Sequence, residues 1–145
     1  MKKNTVKVAQ TFRWEMGHRL PYHQRGCRNL HGHSYKLIVE IEGVPAENDG
    51  IVLDFFEIRD IVQPAINKLD HSFMCSQDDD LLKTFFKNTD FKVVYVDFYS
   101  TAENIALYFI KLLSEKLKSH KNLTAVTVRV YETEKEYAEV TEEFK

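Results

Sequence analysis

The chain has little with which to bridge, bend or anchor itself. It holds two cysteines, Cys27 and Cys75, in 145 residues, too few for a disulfide framework. No export signal follows Met1-Lys2-Lys3-Asn4, so a reduced, cytoplasmic setting with a free Cys27 thiol is expected. The three prolines and five glycines form no linker, and there is no repeat or low-complexity tract. One domain over residues 1–145 is therefore expected. No apolar run approaches the ~20 residues needed to span a bilayer, which argues against a membrane segment. Positive charge is not in excess: 20 Lys and Arg face 22 Asp and Glu, a net charge of −2. The basic residues are scattered, so there is no electrostatic case for a nucleic-acid partner. At 43% hydrophobic and 29% charged, the composition is that of a soluble globular domain. A chain of this length can bury a core without a metal staple.

What is present concentrates in Cys27-Arg28-Asn29-Leu30-His31-Gly32-His33. In an extended backbone residues i and i+2 face the same way, so His31 and His33 present two imidazoles together. Gly32 between them carries no side chain and leaves its face open to close packing. Two neutral imidazoles at this spacing suit zinc, which takes His nitrogens at about 2.0–2.1 Å in a tetrahedral shell. Met16-Gly17-His18-Arg19-Leu20 offers a third. His18, His31 and His33 with one open position describe a catalytic site. Two other readings stay open on spacing alone. His31 and His33 can be ordinary half-exposed strand histidines, or Cys27 can close the shell as the fourth ligand of a structural site.

Val6 to Met16 alternates as a strand, with Val6, Val8, Gln10, Phe12 and Trp14 on one face and His18 just past its end. Arg19 to Asn29 reads as a loop in which His23 is solvated. Ser34 to Val44 is the clearest strand: Tyr35, Leu37, Val39 and Ile41 make an apolar face, and His31 and His33 are in phase with it. Asp54 and Glu57 have capping-box spacing and open a helix with Phe55, Ile58, Ile61, Val62, Ile66 and Leu69 in its stripe. Pro64 predicts a kink or break there. Leu69-Asp70-His71 follows, and a carboxylate beside an imidazole fixes its tautomer and raises its basicity.

Gln77 to Asp80 reads as a solvated acidic turn, Leu81 to Phe86 as a short helix and Val93 to Val96 as a short extended segment. Ser100-Thr101-Ala102-Glu103 reads as a capping box for a second long helix, with Ile105, Phe109, Leu112, Leu113 and Leu117 inward. That gives Glu103 a structural task. Leu123 to Tyr131 is a strand with Glu132 just beyond it, and Tyr137 to Phe144 is a weaker last strand. The order β-β-α-α-β-β predicts an α+β sandwich with an antiparallel sheet and both helices on one face. The other sheet face is left open to oligomerisation.

The motifs taken together resemble one family. They are Gly-His-Arg-Leu (17–20), Cys-x3-His-Gly-His (27–33), Gly-Ile-Val-Leu-Asp-Phe (50–55), Leu-Asp-His (69–71), Thr-Ala-Glu-Asn (101–104) and Tyr-Glu-Thr (131–133). In this order, from Phe12 to Val140, they resemble the 6-pyruvoyltetrahydropterin synthase family. The three-residue gap between Cys27 and His31 is similar to its bacterial branch, the 6-carboxy-5,6,7,8-tetrahydropterin synthases of queuosine biosynthesis. The animal biopterin enzymes have a longer gap, and Cys27 argues against a branch that uses a glutamate instead. Two features depart from the family pattern: the bulky Phe-Arg-Trp-Glu-Met-Gly-His entry (12–18) and the long segment Ser76 to Tyr99.

The resemblance implies the tunnelling fold (T-fold), a four-stranded antiparallel sheet with two helices. It implies trimers that close a barrel and stack in pairs, hence a homo-hexamer with active sites at subunit interfaces. His18, His31 and His33 would hold one Zn2+ per subunit. Cys27 would be the general base, Asp70 and His71 its relay, and Glu132 the anchor of the pterin ring and a relay member. The implied reaction is a lyase conversion of 7,8-dihydroneopterin triphosphate to 6-carboxy-5,6,7,8-tetrahydropterin, acetaldehyde and triphosphate. The rival within the family forms the 6-pyruvoyl product. A structural-zinc binding or assembly protein is the reading from another class. Arg19, Arg25 and Arg28 lie near the site in the chain and read as surface residues.

Overall fold

The computed structural model describes residues 2–145. Its centre is the antiparallel pair β1 (Val6–His18) and β2 (His31–Gly43), whose register places Trp14 opposite Tyr35, Met16 opposite His33, Gly17 opposite Gly32 and His18 opposite His31. The alternation read from the sequence sets this pairing, because a one-residue slip would turn every core side chain outward. β5 (Leu123–Thr133) pairs with the free edge of β2, and β6 (Glu136–Glu143) with β5, both antiparallel.

The other edge of β1 departs from the expected four-stranded, two-helix sheet. β3 (Ser72–Ser76) adds there in parallel, and β4 (Val93–Val96) adds in parallel to β3. The sheet therefore has six strands in the order β4-β3-β1-β2-β5-β6. It carries three helices: α1 (Phe55–Leu69), α2 (Asp80–Phe86) and α3 (Ala102–Leu117). The segment between the long helices is thus a β-α-β unit, β3-α2-β4, with its two strands parallel. Among the described residues no helix is long and apolar enough to cross a membrane.

α1 and α3 supply the buried rows Ile58, Val62, Ile66 and Leu69, and Ile105, Phe109, Leu113 and Leu117. These cover Phe12, Trp14, Met16, Tyr35, Leu37, Val39 and Ile41 of the central strands. Each such side chain contributes roughly 1.5–3 kcal/mol by leaving water, so this face is where the fold is stabilised. The bulky entry before His18 belongs to that core: Trp14 stacks on Tyr35 at 5.0 Å between ring centroids and packs on Phe109 at 5.6 Å. α1 begins at the expected cap, with the Asp54 carboxylate accepting from the Phe56 N–H at 2.8 Å, but Glu57 pairs with His120 Nε2 at 2.8 Å instead of closing the box. It runs through Pro64 without the expected break. β1's opposite face, with Lys7, Ala9, Thr11, Arg13 and Glu15, is exposed.

Candidate metal centre

The register that pairs His18 with His31 puts three imidazoles on the helix-covered face at one end of the two central strands. One nitrogen from each of His18, His31 and His33 lies within 4.8 Å of the others. His18 is buried, and His31 and His33 are half-buried. Tyr35 forms the floor, meeting His18 and His33 edge-on at 6.0 and 5.5 Å between centroids.

The hydrogen bonds decide which nitrogens face inward. His18 Nδ1 lies 2.7 Å from the Ser100 carbonyl oxygen and 3.1 Å from its Oγ. His31 Nδ1 lies 2.7 Å from the Asn29 carbonyl. A carbonyl can only accept, so both Nδ1 atoms carry the proton and both Nε2 atoms present lone pairs. These two Nε2 atoms are buried and have no hydrogen-bond partner. A buried polar atom without a partner costs about 1–3 kcal/mol, and a metal ion would remove that cost. The donor set fits a zinc-type ion on these grounds, with Ser100 and Asn29 as the outer partners that orient the ligands. Electrostatics agree with neutral imidazoles. Burial lowers His18 to about 4, against a raising effect from the Ser100 carbonyl bond and helped by His31 and His33. Burial, then His31, also lowers His33.

Glu132 borders the triad, with its Oε1 3.9 Å from His18 Nε2. Burial first and the charge of Glu103 second push its carboxyl above the usual range. Glu103 and Glu132 line one cavity with Ala102, Glu136 and Tyr137. The capping-box reading of Glu103 fails here. The N-cap of α3 is Thr101, whose hydroxyl accepts from the Asn104 N–H at 3.1 Å, so Glu103 is one position too early to close the box. Ser100 is thereby freed to face His18.

Cys27 sits half-buried on a short 3-10 turn, Gly26–Arg28, with its carbonyl accepting from the Leu20 N–H at 2.8 Å. It is not a member of the close cluster formed by the three histidines. Both cysteines are free thiols. Asp70 and His71 form a pair, Oδ2 to Nδ1 at 3.0 Å. They flank β1 at Glu15: the Glu15 N–H donates to Asp70 Oδ1 at 2.8 Å and its carbonyl accepts from the His71 N–H at 2.7 Å. The bond from Glu15 is the largest cause holding Asp70 below the usual carboxylate range, ahead of His71. His71 takes φ +57°, the left-handed region that costs a non-glycine residue energy. His71 opens onto a cavity with Glu15, Gly32, Ser34 and the candidate ligand His33, not the one that Glu132 lines. A single chain therefore gathers the three histidines and Glu132, and leaves the Asp70–His71 pair apart from Glu132.

Sequence reading missed four participants. Ser100 and Asn29 act through carbonyls, which no side-chain pattern announces, though the Ser-Thr doublet at 100–101 was a hint that only one could cap. Arg19 is not a free surface residue: its Nε and Nη2 donate to Asp79 Oδ2 and Oδ1 at 2.7 and 2.6 Å. Asp79 in turn is 5% exposed, not part of a solvated turn.

The profile of the 6-pyruvoyl tetrahydropterin synthase family matches residues 7–143. A 6-carboxy-5,6,7,8-tetrahydropterin synthase of Haemophilus influenzae is 32% identical over 143 residues, 94% of this chain and 99% of its own. One from Rickettsia conorii is 33% identical over 137 residues, 93% of this chain and 99% of its own. Among solved structures, 6-pyruvoyl tetrahydropterin synthase of Plasmodium vivax superposes with a TM-score of 0.78 at 20% identity, over 98% of this chain and 100% of that one. An uncharacterized protein of Wolinella succinogenes gives 0.79 at 23%, over 95% and 98%. At those identities the structures speak for the fold. With the histidine register, the six-stranded sheet and a match over nearly the whole length, the chain belongs to the 6-pyruvoyl tetrahydropterin synthase family.

Proposed function

We propose that this chain is a zinc-dependent pterin lyase that converts 7,8-dihydroneopterin triphosphate and water to 6-carboxy-5,6,7,8-tetrahydropterin, acetaldehyde and triphosphate, and that it serves queuosine biosynthesis. The observation that carries the proposal is the convergence of His18, His31 and His33, with two buried Nε2 lone pairs unpartnered, beside the Glu132 carboxylate. The names of the bacterial relatives point to the same reaction.

His18, His31 and His33 would hold the ion. Zinc bound there would act as a Lewis acid on the substrate's side-chain oxygens and acidify their hydroxyls. Glu132 would orient the pterin. A carboxylate pushed upward by burial and by Glu103 is relieved by a ligand with two N–H donors, which is what a pterin's amino group and ring N–H offer. Cys27 would take the proton from the substrate side chain. A thiol is mostly protonated at neutral pH and needs an imidazole or cation to ionise. His71 suits that task. With Asp70 accepting from its Nδ1–H, its Nε2 is free to hold a proton from the thiol. Because the pair lies apart from the Glu132 cavity, the site would be completed between subunits of a homo-oligomer, the expected form being a hexamer.

The test is to incubate the zinc-loaded protein with 7,8-dihydroneopterin triphosphate and weigh the products. Carboxytetrahydropterin with acetaldehyde is expected, whereas a pyruvoyl product would move the chain to the biopterin-type reaction. Cys27→Ala is expected to keep zinc and lose turnover by roughly a hundredfold or more. Loss of both zinc and fold in that variant would favour a structural site.

A further inference from the structure

We infer that Arg19 and Asp79 are a positioning pair that fixes the Cys27 loop against the three-histidine site. The task rests on the proton-abstracting role proposed for Cys27. Arg19 directly follows the ligand His18, so its backbone is as fixed as β1 itself. Two arms of its guanidinium clamp both oxygens of Asp79, at 2.7 and 2.6 Å. The third points to the Arg28 carbonyl at 3.5 Å, the residue after Cys27. The next residue, Leu20, donates to the carbonyl of Cys27 itself at 2.8 Å. The two peptide groups on either side of Arg28, the first of them carrying the Cys27 carbonyl, are thus referred back to residues 20 and 19.

The anchor at the other end is rigid. Asp79 follows β3, its N–H donates to the Ser76 carbonyl at 3.0 Å, and its carboxylate caps α2 through the Leu82 N–H at 3.3 Å. Only a planar fork can hold two carboxylate oxygens and still offer a third donor, so arginine is specific to this place. A tyrosine pair ties the loop a second time, Tyr22 meeting Tyr99 edge-on at 5.4 Å, next to the Ser100 that orients His18. A mostly buried ion pair is weak grounds for stability, since desolvation offsets its attraction. Its geometry here is better explained by what it holds still. The long Ser76–Tyr99 segment then has a use, as the scaffold that carries Asp79 and Tyr99 to the loop.

The test uses the full-length, zinc-loaded protein and three variants. Arg19→Lys keeps the charge and loses the fork. Asp79→Asn keeps the shape and the cap acceptor. Arg19→Met with Asp79→Asn leaves no buried charge unpaired, which guards the fold. Iodoacetamide labelling of Cys27, followed by peptide mass with buried Cys75 as internal reference, reads the loop without any substrate. Zinc content, kcat and KM complete the set. We expect Cys27 labelling to change several-fold in all three variants, while zinc stays at the wild-type ratio. With the pterin triphosphate, kcat is expected to fall roughly tenfold or more with little change in KM, and Arg19→Lys to retain the most. Wild-type labelling and wild-type kcat in the double variant, with only the melting temperature moved, would overturn the inference. A wild-type protein that never turns over the pterin would sink the reaction, and the labelling arm would still decide whether the pair positions the loop.

Discussion

At the residue scale, the site is built from two kinds of information. The three imidazoles were legible, because i and i+2 on a strand share a face and His18 sits in register with His31. Their orientation was not. It depends on two carbonyl oxygens, Ser100 and Asn29, and a carbonyl belongs to every residue type. This distinction makes a prediction about Ser100. Replacing it with alanine removes the Oγ contact at 3.1 Å but leaves the carbonyl bond at 2.7 Å, which alone fixes the tautomer. Outer partners of a metal ligand are usually worth 10–100-fold in affinity, so Ser100→Ala is expected at or below the bottom of that range, about tenfold. His18→Ala removes a ligand and is expected to abolish stoichiometric binding. Zinc competition titration with a chromophoric chelator measures both. A Ser100→Ala protein as defective as His18→Ala would mean that the hydroxyl, and not the carbonyl, orients the ring. Glu103 carries the reverse lesson: an S-x-x-E spacing looked sufficient, yet the helix starts one residue later, at Thr101, and the carboxylate is left to face Glu132.

At the element scale, the strands that alternate were legible and the one that does not was missed. β1, β2 and β5 each bury one face, so their sequences read with period two. β3, Ser-Phe-Met-Cys-Ser, is buried along almost its whole length and pairs in parallel on both sides. Such a strand shows no alternation to find. Missing it left Gln77 to Asp80 looking like a solvated turn, when Asp79 is in fact the buried cap between β3 and α2. Its ionisation gives a pH prediction. Arg19, through its hydrogen bonds, is the largest cause holding the Asp79 carboxyl below its ordinary value, which is about 3.9 in an unfolded chain. A carboxyl lowered on folding stabilises above the unfolded value, and that contribution is lost as pH falls through the folded one. Asp79→Asn has no such group. Wild type is therefore expected to exceed the variant by about 2 kcal/mol at neutral pH. The gap should close as pH drops below about 4. Urea melts of both proteins at pH 7, 4, 3 and 2 check this, because the loss falls below the unfolded carboxyl value. A gap that stays constant across the series would mean that the carboxylate's charge contributes nothing to stability.

At the scale of the whole molecule, the helices cover one sheet face and leave the other, with Arg13, Glu15 and Ser34, to solvent. The sheet also ends in the open edges of β4 and β6, and edges of this kind are sites of further strand pairing. Antiparallel patterning already pointed to an uncovered face, but no single-chain pattern says which residues of two copies meet. The placement of the proposed relay sharpens the question. Asp70 and His71 are fixed to β1 at Glu15, while Cys27 is on the loop beyond His18, and His71 and Glu132 open onto different cavities. If Cys27 of one subunit works with His71 of its neighbour, two inactive variants should repair each other. Cys27→Ala and His71→Ala are each expected to lose turnover by roughly a hundredfold or more. Co-expressed in equal amounts and assembled at random in a ring, they leave about a quarter of the interfaces with both residues intact. The mixed preparation should then recover about a quarter of wild-type kcat per site, while separately folded and mixed proteins that cannot exchange subunits recover none. If Cys27 and His71 instead act within one chain, every subunit of the mixture carries a lesion, and co-expression would leave activity at the level of the single variants.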